Sequence, residues 1–102
     1  MTTITTVADF KTSVLQAEKP VLVDFYADWC GPCQAMMPTV ENLSTTLNGT
    51  AEVYKVNVDE GREIAQQYGI MSIPTFIAFK NGKEVARHTG TSDLEGLKRL
   101  LG

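Results

Sequence analysis

The sequence predicts an α/β protein, a three-layer α/β/α sandwich with a mixed central sheet of four to five strands flanked by four helices. Three observations carry this. Short runs rich in Val, Ile, Phe and Tyr alternate with segments whose apolar residues recur at helical spacing. One run, "PVLVDFYA" (20–27), is almost continuously apolar, as in a strand covered on both faces. Asn81-Gly82, between two further strand-like runs, is a two-residue hairpin signal. Alternation gives parallel strands joined by right-handed crossovers, and the hairpin adds an antiparallel edge.

The elements follow in order. "TTITTV" is a short, weak strand segment, and residues 7–17 read as a helix through Phe10, Val14 and Ala17. The central strand at 20–27 precedes a long helix, 31–47, with Met36, Met37, Val40, Leu43 and Leu47 on its apolar side and Asn48-Gly49 as its stop. Pro38 lies inside that helix and is expected to kink it. "AEVYKVNV" (51–58) is the next strand, and a short helix over 61–68 closes at Gly69. "TFIAFK" (75–80) and "EVARHT" (84–89) form the hairpin pair. Ser92 with Glu95 three residues later predicts a capping box for the last helix, striped by Leu94, Leu97 and Leu101.

With 102 residues the chain is expected to form a single domain over 1–102. Its 43% hydrophobic and 21% charged residues are ordinary for a globular domain, and a formal net charge of −3 gives no basic footprint for nucleic acid or anionic lipid. The aromatics sit in apolar runs and read as core. The N-terminal "MTTITTVADF" lacks the features of a secretory signal, and no run approaches a membrane span. The expected compartment is the cytoplasm, where two cysteines are a poor structural staple. A monomer is expected.

Chemistry concentrates in "YADWCGPCQAMMP" (26–38), which holds both cysteines. In open α/β sheets function sits beyond the carboxyl ends of strands. Cys30 follows the central strand and opens a helix, near its N-cap, with Cys33 in the first turn. The positive end of the helix favours thiolate, so the Cys30 pKa should fall below the free value of about 8.5. The spacing of three lets a reversible Cys30–Cys33 disulfide open and close with little backbone movement. Pro32 is tolerated in the first turn, where no N–H is needed, and with Gly31 it forms a stiff connection. Thiol–disulfide exchange follows, with Cys30 as nucleophile and Cys33 resolving the mixed disulfide. A zinc site would need a second pair of ligands that the chain lacks, and His88 is its only histidine. No metal is expected. A structural disulfide closing so short a loop would restrain the unfolded chain little.

Other residues gather around this pair. Asp24 interrupts the central run; burial there would raise its pKa and suit it to proton transfer with Cys33, whereas a solvated edge position would not. Lys55, in "VYKVNV", either pairs with Asp24 across neighbouring strands or faces solvent. Trp29 fits an apolar lid beside Cys30 or a core position. Pro74 stands at the start of a strand and would be tolerated there if its peptide bond is cis.

Taken together these residues resemble the thioredoxin family along essentially the whole chain. "WCGPC" is joined in order by Asp24, Lys55, "IPTF" with Pro74, "FKNGK" and Gly90. The resemblance implies a thioredoxin fold and a general protein disulfide reductase with no bound cofactor. Electrons would come from NADPH through a partner flavoprotein, thioredoxin reductase. Recipients would be ribonucleotide reductase, peroxiredoxin or methionine sulfoxide reductase types. It also implies a substrate surface formed by Trp29, Ile73 and Gly90, a cis bond before Pro74, and backbone pairing of the substrate chain beside Pro74. The chain departs from the family pattern at Tyr26, often Trp, at Gln34, often Lys or Arg, and at Met71-Ser72. Gln34 and the nearby Asp28 should raise the Cys30 pKa slightly, because negative charge disfavours the thiolate. Disulfide isomerases and oxidants usually carry His in place of Pro32 and an export signal. A redox-independent partner subunit would use the same apolar surface with both cysteines dispensable.

Overall fold

In the computed structural model, which describes residues 1–102, the apolar run becomes a strand buried at every position. The elements are β1 (Thr2–Thr3), α1 (Val7–Phe10), β2 (Val21–Tyr26), α2 (Gly31–Thr46), β3 (Glu52–Asn57), α3 (Arg62–Gln67), β4 (Thr75–Lys80), β5 (Lys83–Thr89) and α4 (Leu94–Leu100). A wider π-type segment, Lys11–Leu15, extends α1, with Gln16 N–H donating to the Lys11 carbonyl at 2.9 Å. Phe10 and Val14 both remain buried across this change of pitch. Strand β1 is shorter than the "TTITTV" segment, because after two residues Ile4 turns into the core, 2% exposed.

The five strands lie in the order β1-β3-β2-β4-β5. Strands β1, β3 and β2 are mutually parallel, as alternation requires. Strand β4 is not: it runs antiparallel to β2, and β5 antiparallel to β4. The expected antiparallel edge is therefore two strands deep. Through α3 and the loops on either side of it, the chain turns back and re-enters the sheet from the end at which it left β3.

The central strand sorts its side chains to two cores. Val21, Val23 and Phe25 join Phe79, Ile77, Val56, Phe10, Val14 and Ile64 on the α1/α3 side. Leu22 joins Phe76, Val53, Met36, Val40, Leu43, Leu97 and Leu101 beneath α2 and α4. Each such side chain contributes about 1.5–3 kcal/mol by leaving water. Asp24 and Tyr26 share the α2 face by the two-residue period of the strand. Helix α2 runs on through Pro38, and Asn81 and Gly82 take φ of 53° and 78°, the left-handed pair of a tight hairpin.

The start of α4 departs from expectation. Its N-cap is Asp93, whose carboxylate accepts the Gly96 N–H at 2.7 Å, one residue later than the Ser92 capping box. The charged oxygen is the stronger acceptor at a helix N-terminus. Asp93→Ala should therefore lower stability by about 1 kcal/mol in urea unfolding, and Ser92→Ala by much less. Equal losses would return the cap to Ser92.

Candidate active site

Strand β2 delivers the chain through Ala27, Asp28 and Trp29 to the start of α2. Cys30 is the N-cap, in extended conformation at φ −88°, ψ 108°. Its sulfur accepts the Cys33 N–H at 3.2 Å, and its carbonyl accepts the Gln34 N–H at 3.1 Å. Pro32 occupies the first turn. An added Cβ at Gly31 would meet no atom within 4 Å, so this glycine leaves the approach to the sulfurs open rather than answering a packing demand.

Cys30 and Cys33 are joined in a disulfide with Cα atoms 5.2 Å apart. Cys33 is fully buried and Cys30 keeps 5% exposure. Cys30, the expected nucleophile, is thus recessed. It packs in a small apolar cluster with Tyr26 and Ala27, against Met37, Val58 and Ile73.

The wall facing Cys30 comes from the loop before β4. The Ile73 carbonyl oxygen lies 3.9 Å from the Cys30 sulfur, and the Ile73–Pro74 bond is cis. The Gly90 N–H donates to the Pro74 carbonyl at 2.8 Å, with Gly90 at φ 101°. Trp29 is no core residue: it is 72% exposed. Its indole Nε1–H donates to Asp59 Oδ2 at 2.8 Å, which fixes the ring beside the disulfide. Asn57 Oδ1 in turn accepts the Asp59 N–H at 2.9 Å. Asp59 and Asn57 escaped the sequence reading. The available signal was their place at the carboxyl end of β3, the strand beside β2.

Asp24 is fully buried, and neither carboxylate oxygen has a hydrogen-bond partner in the protein. Burial pushes its carboxyl up from 3.8 to about 7, against the opposing pull of the Lys55 charge. Lys55 stands opposite Asp24 in the β2–β3 register. The direct pairing considered from the sequence does not form: the Lys55 ammonium lies 5.2 Å from the Tyr26 ring centroid, and the protein's two ion pairs are Arg87–Glu84 and Lys98–Glu95. A long stem that reaches the aromatic ring keeps the strongly hydrated ammonium nearer water than the buried carboxylate is. Gln34 reaches back to the Ala27 and Asp28 carbonyls, each at 3.4 Å. His88 on β5 is occupied by the Thr91 carbonyl at 2.9 Å. No helix is long and apolar enough to cross a membrane.

A cysteine pair capping a helix at the carboxyl end of a mixed sheet defines a thiol–disulfide oxidoreductase. The thioredoxin family model matches residues 1–102. The chain is 49% identical over 92 residues to thioredoxin 1 of Nostoc sp., spanning 90% of this chain and 86% of that protein. It is 45% identical over 98 residues to a probable thioredoxin-2 of Caenorhabditis elegans, spanning 96% and 68%. The X-ray structure of Fasciola hepatica thioredoxin superposes with a TM-score of 0.90 at 35% identity, covering 98% of this chain and 96% of that one. The chain belongs to the thioredoxin family, and it is a protein disulfide oxidoreductase that works without a bound cofactor through the Cys30–Cys33 disulfide.

Proposed function

We propose that this protein is a general reductant of protein disulfides, residues 1–102 acting as one domain. The carrying observation is the Cys30 sulfur at the helix N-terminus, accepting the Cys33 N–H at 3.2 Å, while Cys33 is fully buried. In the reduced protein that N–H and the helix dipole favour the Cys30 thiolate. The thiolate attacks one sulfur of the substrate disulfide. A Cys30–substrate S–S bond forms, the substrate's own S–S bond breaks, and its other sulfur leaves with the electron pair and takes up a proton. Cys33 then gives its proton to the Asp24 carboxylate and attacks the Cys30 sulfur. The Cys30–Cys33 bond forms, the Cys30–substrate bond breaks, and the departing sulfur leaves with the electron pair and takes up a proton, so the substrate is released as a dithiol.

A carboxyl at about 7 is half ionised at neutral pH, which suits both accepting and returning that proton. Lys55 tunes Asp24 across the strands rather than by contact. Gly31 and Pro32 shape the approach, and Trp29, Ile73, Pro74 and Gly90 receive the substrate chain beside the sulfurs. Two electrons per cycle return from NADPH through a flavoprotein thioredoxin reductase. Cytoplasmic ribonucleotide reductase, peroxiredoxins and methionine sulfoxide reductases are the recipients, and the protein acts as a monomer.

The test is the reduction potential of the Cys30–Cys33 pair, by equilibration with a reference dithiol. A reductant gives a value at or below roughly −250 mV; about −270 mV is the thioredoxin family's own reference value and not a result of this structure. A value between about −180 and −120 mV would make the protein an isomerase or oxidant.

A further inference from the structure

The rim of the exchange site is acidic on one side and apolar on the other. Asp28, next to Trp29 in the chain, is exposed, and so are Asp59, at the edge of the Trp29 indole, and the following Glu60, which also borders a hollow with Val7 and the exposed Arg62. None of the three enters either of the protein's ion pairs. Gln34, at the start of α2, adds no cation. On the opposite side, two residues before Ile73, Met71 is 95% exposed. It is the most exposed of the large apolar side chains and sits on the loop whose carbonyl faces Cys30.

An unpaired carboxylate keeps its full field, and several of one sign around a recess attract cationic groups before contact. An exposed methionine is an adaptable apolar surface that gains by being covered. The two features select for the same partner from opposite sides.

We propose that the site discriminates among disulfides by their flanking residues. It favours segments with lysine or arginine next to the attacked cysteine and an apolar side chain beyond it, and it disfavours acidic segments. Asp28 and Glu60 supply the charge selection; Met71 supplies the apolar anchor. This rests on the exchange reaction of the previous subsection. It adds the substrate class: a basic, partly apolar cysteine-bearing segment of a partner protein. Trp29 and Ile73 bind any extended chain, whereas these three residues distinguish one chain from another.

The experiment uses the reduced protein and three disulfide-bridged peptides of one core sequence, with Lys, Gln or Glu before the attacked cysteine. Each exchange rate is divided by that of dithiothreitol on the same peptide, which removes differences in intrinsic reactivity. At about 0.01 M salt, where fields reach roughly 30 Å, the Lys peptide should react about tenfold faster than the Glu peptide. At about 1 M salt the ratio should approach one. Asp28→Asn with Glu60→Gln should cut the low-salt ratio about threefold or more. Glu18→Gln with Glu41→Gln changes net charge equally, Glu18 lying before the start of β2 at the other end of that strand from Cys30 and Glu41 well along α2, and should not. Met71→Gln should slow a Leu-bearing peptide about threefold relative to its Ser counterpart, and Met71→Leu should restore it, with the reduction potential unmoved in both. Equal low-salt rates, or equal effects of the two double variants, overturn the charge selection. A Met71→Gln protein that treats the Leu and Ser peptides as the parent does overturns the anchor. Exchange with none of the peptides would instead overturn the reductase reading itself.

Discussion

Cys30→Ser should abolish disulfide reduction, whereas Cys33→Ser should preserve the first step and stop the cycle there. The expectation follows from which sulfur can reach a substrate. Cys33 has no exposed surface, whereas Cys30 keeps 5%. A serine hydroxyl at position 30 supplies no thiolate and forms no S–S bond. Turnover should fall by roughly four orders of magnitude or more, the scale on which losing a nucleophile acts. With Cys33→Ser, the mixed disulfide between Cys30 and substrate forms but has no internal thiol to resolve it. Insulin reduction should cease in both variants. Intact-mass spectrometry after exposure to a disulfide peptide should show a peptide-sized adduct on Cys33→Ser and none on Cys30→Ser. An adduct on Cys30→Ser would assign the nucleophile to Cys33 and reverse the roles.

The contrast between the two cysteines was legible in the sequence because it depends on local order. A strand, a helix start and a spacing of three suffice to cap the helix with one sulfur and bury the other. Asp24 was legible for the same reason, since five apolar residues around it leave a buried strand as the natural reading. What escaped depends on how segments far apart in the chain meet. The recess of Cys30 comes from a wall 43 residues away at Ile73. The exposure of Trp29 is set by Asp59, 30 residues on, and no periodicity relates the two. The direction of β4 escaped because alternation signals a crossover without saying how far it travels. Asp24 and Lys55 were placed side by side by strand pattern, and the register agrees. Pattern could not say that the ammonium would go to the Tyr26 ring instead of the carboxylate. The shift at the start of α4 is of a different kind. Ser92 and Asp93 both suit an N-cap, and a one-residue choice between them is decided by which oxygen reaches the Gly96 N–H.

Asp24→Ala should make the protein more stable and less active at once. The carboxyl moves from 3.8 in the unfolded chain to about 7 in the fold because burial strips water from its charge. The folded state therefore binds a proton more tightly than the unfolded state does. The stability associated with the neutral carboxyl is fully present below pH 3.8, is lost as pH rises, and is gone above about 7. At pH 8.5 the parent protein carries a buried charge that costs about 4 kcal/mol. Alanine removes the charge and leaves a small cavity that returns about 1 kcal/mol of the gain. Urea unfolding of the oxidised proteins at pH 8.5 should thus favour the variant by about 3 kcal/mol, and the difference should vanish or reverse toward pH 4. An advantage independent of pH would mean that Asp24 titrates as an ordinary carboxyl. The kinetic half of the prediction separates a proton carrier from a mere buried charge. Without Asp24, Cys33 must lose its proton to solvent from a site with no exposed surface. Release of the substrate dithiol from the Cys30 mixed disulfide should slow about a hundredfold near pH 7, a loss on the scale of general base catalysis. The first attack by Cys30 should change little, so stopped-flow traces should show the mixed disulfide accumulating in Asp24→Ala and not in the parent. A variant that gains stability yet releases substrate at the parent's rate would leave the buried carboxylate without a part in the reaction. A protein that keeps a destabilising charge on its most deeply buried strand, with no partner for either oxygen, maintains it against the hydrophobic alternative. In the proposed cycle, the resolving step at Cys33 is the one place where a proton has to move inside the fold.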